Sequence, residues 1–116
     1  MRVAIIGSRS YINYAQVKHT VDEHKPSMII SGGAEGADSL GQRYAKENGI
    51  PILIFYPNWK VHGKSAGYLR NESIIDAADC IIAFWDGESK GTLHSINLAK
   101  KNSKKLIVIN EKESPF

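Results

Sequence analysis

Cysteine is almost missing from this chain of 116 residues: Cys80 stands alone. No internal disulfide can therefore form, and without a second thiol or clustered histidines there is no zinc pattern and no metal site to expect. A thiol set in an apolar run reads as a small buried hydrophobe. Long hydrophobic runs are absent too. The longest, Ile50 to Tyr56 and Cys80 to Trp85, fall far short of the ~20 residues that a membrane-spanning helix needs. The opening Met1-Arg2-Val3-Ala4-Ile5-Ile6-Gly7 has too short an apolar part for a signal peptide. These absences lead us to expect a cytoplasmic protein with no membrane partner. Charge is not one-sided either, with 15 Lys and Arg against 12 Asp and Glu and a net charge of +3. That balance leans weakly towards anionic partners and does not separate nucleotides, phosphosugars and nucleic acid. The densest basic run, Lys100-Lys101 with Lys104-Lys105, falls at a predicted helix end. It is read as complementing the helix dipole rather than as a nucleic-acid patch.

What is present is an ordinary globular composition, 42% hydrophobic and 23% charged. At the usual ~100–200 residues per domain the length fits a single domain, with a core over 1–110 and a short C-terminal tail over 111–116. Short apolar runs alternate with segments of helical period five times. The runs Arg2 to Ile6, Ser27 to Ser31, Ile52 to Tyr56, Cys80 to Phe84 and Leu106 to Asn110 read as strands. Between them the period predicts a helix over Asn13 to His24 burying Tyr14, Val17 and Val21, stopped by Pro26, and another over Ala37 to Asn48 burying Ala37, Leu40, Tyr44 and Ala45. A third carries Leu69, Ile74 and Ala78, and a fourth, from Thr92 to about Asn102, carries Leu93, Ile96 and Ala99. A long polar loop is expected from Pro57 to about Ser65. Continuously apolar strands are buried on both faces. The expectation is an α/β fold, a doubly wound Rossmann-like parallel sheet of about five strands with helices on both faces.

In such a sheet a ligand lies outside the carboxyl ends of the strands, where strand order reverses. With the order 3-2-1-4-5, the loops after the first, second and fourth strands converge there, and they are rich in Gly, Ser, Arg and Asp. Gly7-Ser8-Arg9-Ser10 offers an approachable backbone, hydroxyls and a guanidinium. Ser31-Gly32-Gly33-Ala34-Glu35-Gly36-Ala37-Asp38 lets backbone N–H groups converge at a helix start. It is neither a dinucleotide fingerprint nor a P-loop. Asp38 either favours the first helical turn or, with Glu35, serves ribose hydroxyls or a general base. Gly63-Lys64-Ser65-Ala66-Gly67-Tyr68-Leu69-Arg70-Asn71 brings cations, with Trp59 and Tyr68 available to stack on a base. Trp85-Asp86-Gly87-Glu88-Ser89-Lys90-Gly91-Thr92 ends at a helix start that Ser89 or Thr92 caps, with Trp85 either in the core or walling a base pocket.

The ordered set of Gly7-Ser8-Arg9, the glycine-rich run from Ser31 to Asp38, Gly63 to Gly67 with Leu69-Arg70-Asn71, and Ala83 to Gly87 with Ser89 to Thr92 resembles the SLOG superfamily of Rossmann-like domains, and within it the YspA-like branch. The resemblance runs from Met1 to about Asn110. It implies a domain that binds nucleotides or nucleotide-derived ligands through the loops after its strands. The related LOG enzymes cleave the N-glycosidic bond of nucleoside monophosphates with a glutamate in P-G-G-x-G-T-x-x-E. The matching stretch here keeps Gly91-Thr92 but has Ser95 in the place of that glutamate. DprA-like relatives load onto single-stranded DNA, and other SLOG domains sense NAD-derived nucleotides.

The leading expectation is thus binding of a nucleotide or nucleotide-derived phosphosugar, with no cofactor. Gly7, Ser8, Arg9, Gly32, Gly33, Ala34, Glu35, Gly36, Lys64, Gly67, Arg70, Asn71, Trp85, Gly87, Ser89, Gly91 and Thr92 are the candidate binding residues. The enzymatic alternative is a nucleoside-monophosphate N-glycoside hydrolase with Asp38 or Asp86 as the carboxylate. Single-stranded nucleic acid binding comes last, and nucleic acid is not expected as a partner, on the strength of the modest charge. A non-ligand role, as a small interaction domain whose Tyr56, Trp59 and Tyr68 form a surface for a second copy of the chain, is a further alternative.

Overall fold

The computed structural model describes residues 1–110; the tail expected over 111–116 lies outside the described residues. Five strands, β1 (Arg2–Gly7), β2 (Met28–Ser31), β3 (Ile52–Ile54), β4 (Cys80–Trp85) and β5 (Lys105–Asn110), form one sheet in the order β3-β2-β1-β4-β5. All neighbouring pairs are parallel, as the continuously apolar strands require. The helices are α1 (Tyr14–Asp22), α2 (Ala37–Glu47), the short α3 (Trp59–His62), α4 (Ala66–Ala77) and α5 (Lys90–Lys101). No helix among the described residues is long and apolar enough to cross a membrane.

Alternation along the strands sorts the core into two layers. Val3, Ile5, Ile29, Cys80, Ile82 and Phe84 meet Val17 and Val21 of α1 and Ala37, Tyr44 and Ala45 of α2. Ala4, Ile6, Ile30, Ile81 and Ala83 meet Ile74 and Ile75 of α4, Ala78, and Ile96 and Ala99 of α5. Cys80 is fully buried and free. The chain steps outward from β1 to β3 under one layer, then crosses to β4 under the other. The order therefore reverses between β1 and β4, and their loops part there.

Three local expectations are corrected. The third strand stops at Ile54 instead of Tyr56, because β2, its pairing partner, ends at Ser31 opposite Ile54. The long loop after it is not without structure: the Asn58 side chain accepts from Val61 N–H at 3.2 Å and caps α3, and a 3₁₀ turn at Gly63–Ser65 leads into α4. Leu69 and Leu93 are 39% and 40% exposed rather than inward. The buried stripes are instead Ala66, Asn71, Ile74, Ile75 and Ala78 on the α4 side and Thr92, Ser95, Ile96 and Ala99 on α5. On α4 the buried Ala66 precedes Asn71, and on α5 the stripe begins with Thr92 and Ser95; Asn71, Thr92 and Ser95 line the gap between the β1 and β4 loops.

The basic run is structural where it can be followed. Lys100 and Lys101 close the last turn of α5, and Lys104 Nζ donates to the carbonyl of Ala78 at 2.9 Å, at the end of α4. On the opposite layer α1 and α2 are crossed by two reciprocal bonds. Tyr14 donates to Glu47 at 2.6 Å and Tyr44 to Asp22 at 2.6 Å, with Arg43 stacked 3.8 Å from the Tyr14 ring centre. Burial and the Glu47 bond push Tyr14 up from 10.0 to about 12, while the bonds from Tyr44 and Tyr14 hold Asp22 and Glu47 below the usual carboxylate range. The carboxylate contribution is present above the unfolded values and fades as pH falls through the lowered ones. The Tyr14 contribution is complete below about pH 10 and fades towards about pH 12. A Tyr14→Phe, Tyr44→Phe variant should therefore melt with a flatter dependence on pH at both ends than the parent; melting curves that stay parallel would refute the role of these bonds.

Candidate functional site

Gly7 ends β1 where a Cβ would run into the carbonyl of Phe84 and the side chain of Ala37. Its bareness lets β1, β4 and α2 close up at one point. Just beyond it Ser8, 1% exposed, fastens three loops. Its N–H donates to Phe84 O at 3.0 Å, its carbonyl accepts from Tyr11 and Ala37 N–H, each at 3.2 Å, and its hydroxyl accepts from Asp86 N–H at 3.0 Å. Gly36, with φ of 71°, packs its Cα against the Ser8 and Arg9 carbonyls on the same hub.

Between the parted loops lies a crevice of about 460 Å³. Ile6 and Gly7 contribute from β1, Arg9 and Ser10 from its loop, Ala34 and Asp38 from the start of α2, and Arg70, Asn71 and Ile74 from α4. Asp86 and Ser89 close it from the β4 loop, with Gly91, Thr92 and Ser95 from α5. A second depression of about 290 Å³ adjoins it, adding Trp59, Lys64, Gly67 and Tyr68 to shared Arg9, Arg70, Asn71 and Gly91.

The glycine-rich turn does not present an open ring of amides. Ala34 N–H donates to the Asp38 carboxylate at 3.2 Å, and Gly33 N–H turns to Ser31 Oγ at 3.3 Å. Asp38 is only 6% exposed. Burial raises its pKa, against the pull of the Ala34 amide and of the Arg70 and Arg9 charges. The β4 loop is equally self-contained. Asp86 accepts from Glu88 and Ser89 N–H, each at 2.8 Å, and is held below the usual range by them. Ser89 caps α5 by accepting from Thr92 N–H at 3.3 Å and from its hydroxyl at 3.0 Å.

With those amides engaged, the positive charge facing the crevice comes from side chains. Arg70 donates to Gly32 O at 2.5 Å and through Nε to Asn71 Oδ1 at 3.0 Å, which fixes its guanidinium across the gap from α4 to the glycine-rich turn. Burial lowers the Arg70 pKa and the Asp38 charge opposes it; an arginine remains cationic under such a shift. Asn71 in turn reaches His94 Nδ1 at 3.3 Å, and the Tyr68 ring meets the His94 ring edge-on at 4.5 Å. Among the described residues no three His, Cys, Asp or Glu side chains come together as a metal site would need.

The sequence-based candidates thus divide. Gly7, Arg9, Ala34, Asp38, Arg70, Asn71, Asp86, Ser89, Gly91 and Thr92 meet in the crevice, and Lys64 and Gly67 in the depression beside it. Ser8, Gly32, Gly33, Gly36 and Gly87 shape loops outside both linings, and Glu35 is exposed. Trp85 packs against the α4 and α5 core layer and donates from Nε1 to Ser89 O at 3.1 Å. Ile6, Ser10, Ile74 and Ser95 of the crevice, and His94 bonded to Asn71, lie outside the candidate set. The signal for Ser95 was its place one turn from Thr92 and next to Ile96 on the buried stripe of α5.

The five-stranded parallel sheet, with loops meeting at the β1–β4 switch point, is a Rossmann-like α/β fold. The model of the YspA, cpYpsA-related SLOG family matches residues 1–62, and the chain belongs to that family. It is 35% identical over 125 residues to the Gene 61 protein of Mycobacterium phage D29, covering 98% of each chain. Among solved structures it is similar to DNA processing protein A (DprA) from Streptococcus pneumoniae, with a TM-score of 0.76 at 18% identity over 92% of this chain. It is also similar to DprA from Helicobacter pylori, described for its unique single-stranded DNA binding mode, with a TM-score of 0.72 at 25% identity over 93% of this chain. The chain spans 49% and 64% of those two DprA chains. The second likeness corrects the expectation that set nucleic acid aside. That expectation rested on a net charge of +3, and net charge says little when cations from separate loops converge on one crevice.

Proposed function

We propose that the crevice binds the phosphosugar part of a nucleotide, with the phosphate against Arg9 and Arg70 and the sugar towards Asp38 and the hydroxyls of Ser10, Thr92 and Ser95. The convergence of two guanidinium groups from separate elements on one ligand-sized cavity at the carboxyl edge of the sheet carries this reading. Guanidinium forks suit phosphate oxygens, and a carboxylate suits a sugar hydroxyl. We take the setting to be the cytoplasm, where the buried Cys80 stays a thiol.

A second reading, a single strand of nucleic acid laid through the same crevice, is favoured by the likeness to the H. pylori protein. A strand is a run of phosphosugars, so the same cations serve it, with a steeper dependence on salt. N-glycoside hydrolysis would rest on Asp38, since both bonds to the Asp86 carboxylate tie down its own loop. Purified protein is to be incubated with a mixed nucleotide pool, ultrafiltered, and the retained and altered compounds identified by mass spectrometry, alongside anisotropy titrations of a labelled short thymidine oligomer. An intact retained nucleotide supports the first reading, and tight, salt-sensitive oligomer binding supports the second. Free base with ribose phosphate that disappears in Asp38→Asn establishes catalysis. Arg9→Ala should weaken whichever ligand binds by about tenfold; unchanged affinity would refute the site.

A further inference from the structure

Trp59 and Tyr68 are 56% and 51% exposed, a costly placement for large rings, and both face the depression beside the crevice. Neither ring is loose. Trp59 lies on the capped α3, its ring edge 3.6 Å from where a Cβ on Gly67 would stand. Tyr68 is held edge-on by His94, which Asn71 holds in turn. The depression also carries Lys64 and shares Arg9 and Arg70 with the crevice. A phosphate between those two arginines therefore borders both spaces.

We propose that this depression is a ring-stacking subsite, so that the preferred ligand carries two aromatic rings joined through phosphate, one ring over the crevice and the other against Trp59 and Tyr68. The proposal rests on the reading that the crevice holds the phosphate. Two preset rings beside a cationic groove bind any flat base without needing its hydrogen-bonding edge. Two sources supply this chemistry, a strand of nucleotides joined head to tail and a dinucleotide joined through pyrophosphate.

The test compares three probes by calorimetry on the full chain: thymidine monophosphate, a head-to-tail dithymidine phosphate, and NAD. One of the two-ring probes should bind at least about tenfold more tightly than the monophosphate, and which one does so identifies the source. Trp59→Leu and Tyr68→Leu should each bring that ratio close to one, whereas Trp59→Tyr, which keeps a ring face, should retain it. Melting curves establish that the variants fold. A ratio of one in the parent protein, or a ratio that survives both leucine substitutions, overturns the subsite while leaving the crevice reading standing. Failure of all three probes on the parent overturns the crevice reading and the subsite with it.

Discussion

Replacing Arg70 by alanine is expected to weaken nucleotide binding by about a hundredfold, the largest loss from any single change at the crevice. Two effects combine. The guanidinium proposed to face the phosphate disappears, and with it a charged hydrogen bond of roughly 1.5–3 kcal/mol. The carbonyl of Gly32 and the side chain of Asn71 also lose the partner that positions them. Asp38 loses an opposing charge, so its already raised pKa should climb further. Arg70→Lys should recover little of the affinity, because a single ammonium cannot serve the Gly32 carbonyl, Asn71 and a phosphate from one rigid fork. Calorimetric titration beside a melting curve separates binding from folding. An alanine variant that keeps the parent affinity would remove Arg70 from the site.

The second large effect falls on folding. Gly36 holds φ 71° and ψ −127° as the residue that caps α2, a conformation closed to residues with a Cβ, and that Cβ would strike the Ser8 and Arg9 carbonyls. Gly36→Ala should cost about 3 kcal/mol or more, from backbone strain and the displaced hub together. For a chain of this size that is a fall of roughly 10 °C or more in Tm. Gly91→Ala is the matched control: its added Cβ meets nothing within 4 Å and it lies inside α5, so its Tm should hold or rise slightly. Equal melting of the two variants would refute the strain argument.

The architecture was legible because parallel strands buried on both faces write themselves as unbroken apolar runs, and the strand order follows from short right-handed crossovers. The neighbourhood of the crevice was legible for the same reason. Its inner lining was not. Gly33 and Ala34 sit in a loop that reads as an anion cradle, yet their amides turn to Ser31 and Asp38; loop composition does not say which way an N–H points. Leu69 and Leu93 face outward because apolar character alone does not mark the buried stripe. Near the crevice it is Asn71, Thr92 and Ser95 that occupy it. Trp85 belonged to the core layer and its own loop, a choice between packing and pocket that spacing alone leaves open.

The two sides of the crevice are joined by different kinds of bond. On one side the ends of β1 and β4 and the start of α2 are joined through Ser8, by three bonds to its main chain and one to its hydroxyl, all of 3.0 to 3.2 Å. On the other side α4 reaches the glycine-rich turn through the Arg70 side chain and α5 through that of Asn71. Arg70 is also the group that faces the proposed anion. A ligand drawing on that guanidinium competes with its bond to the Gly32 carbonyl, so occupancy of the crevice acts on the link between α4 and the glycine-rich turn and leaves the Ser8 hub untouched.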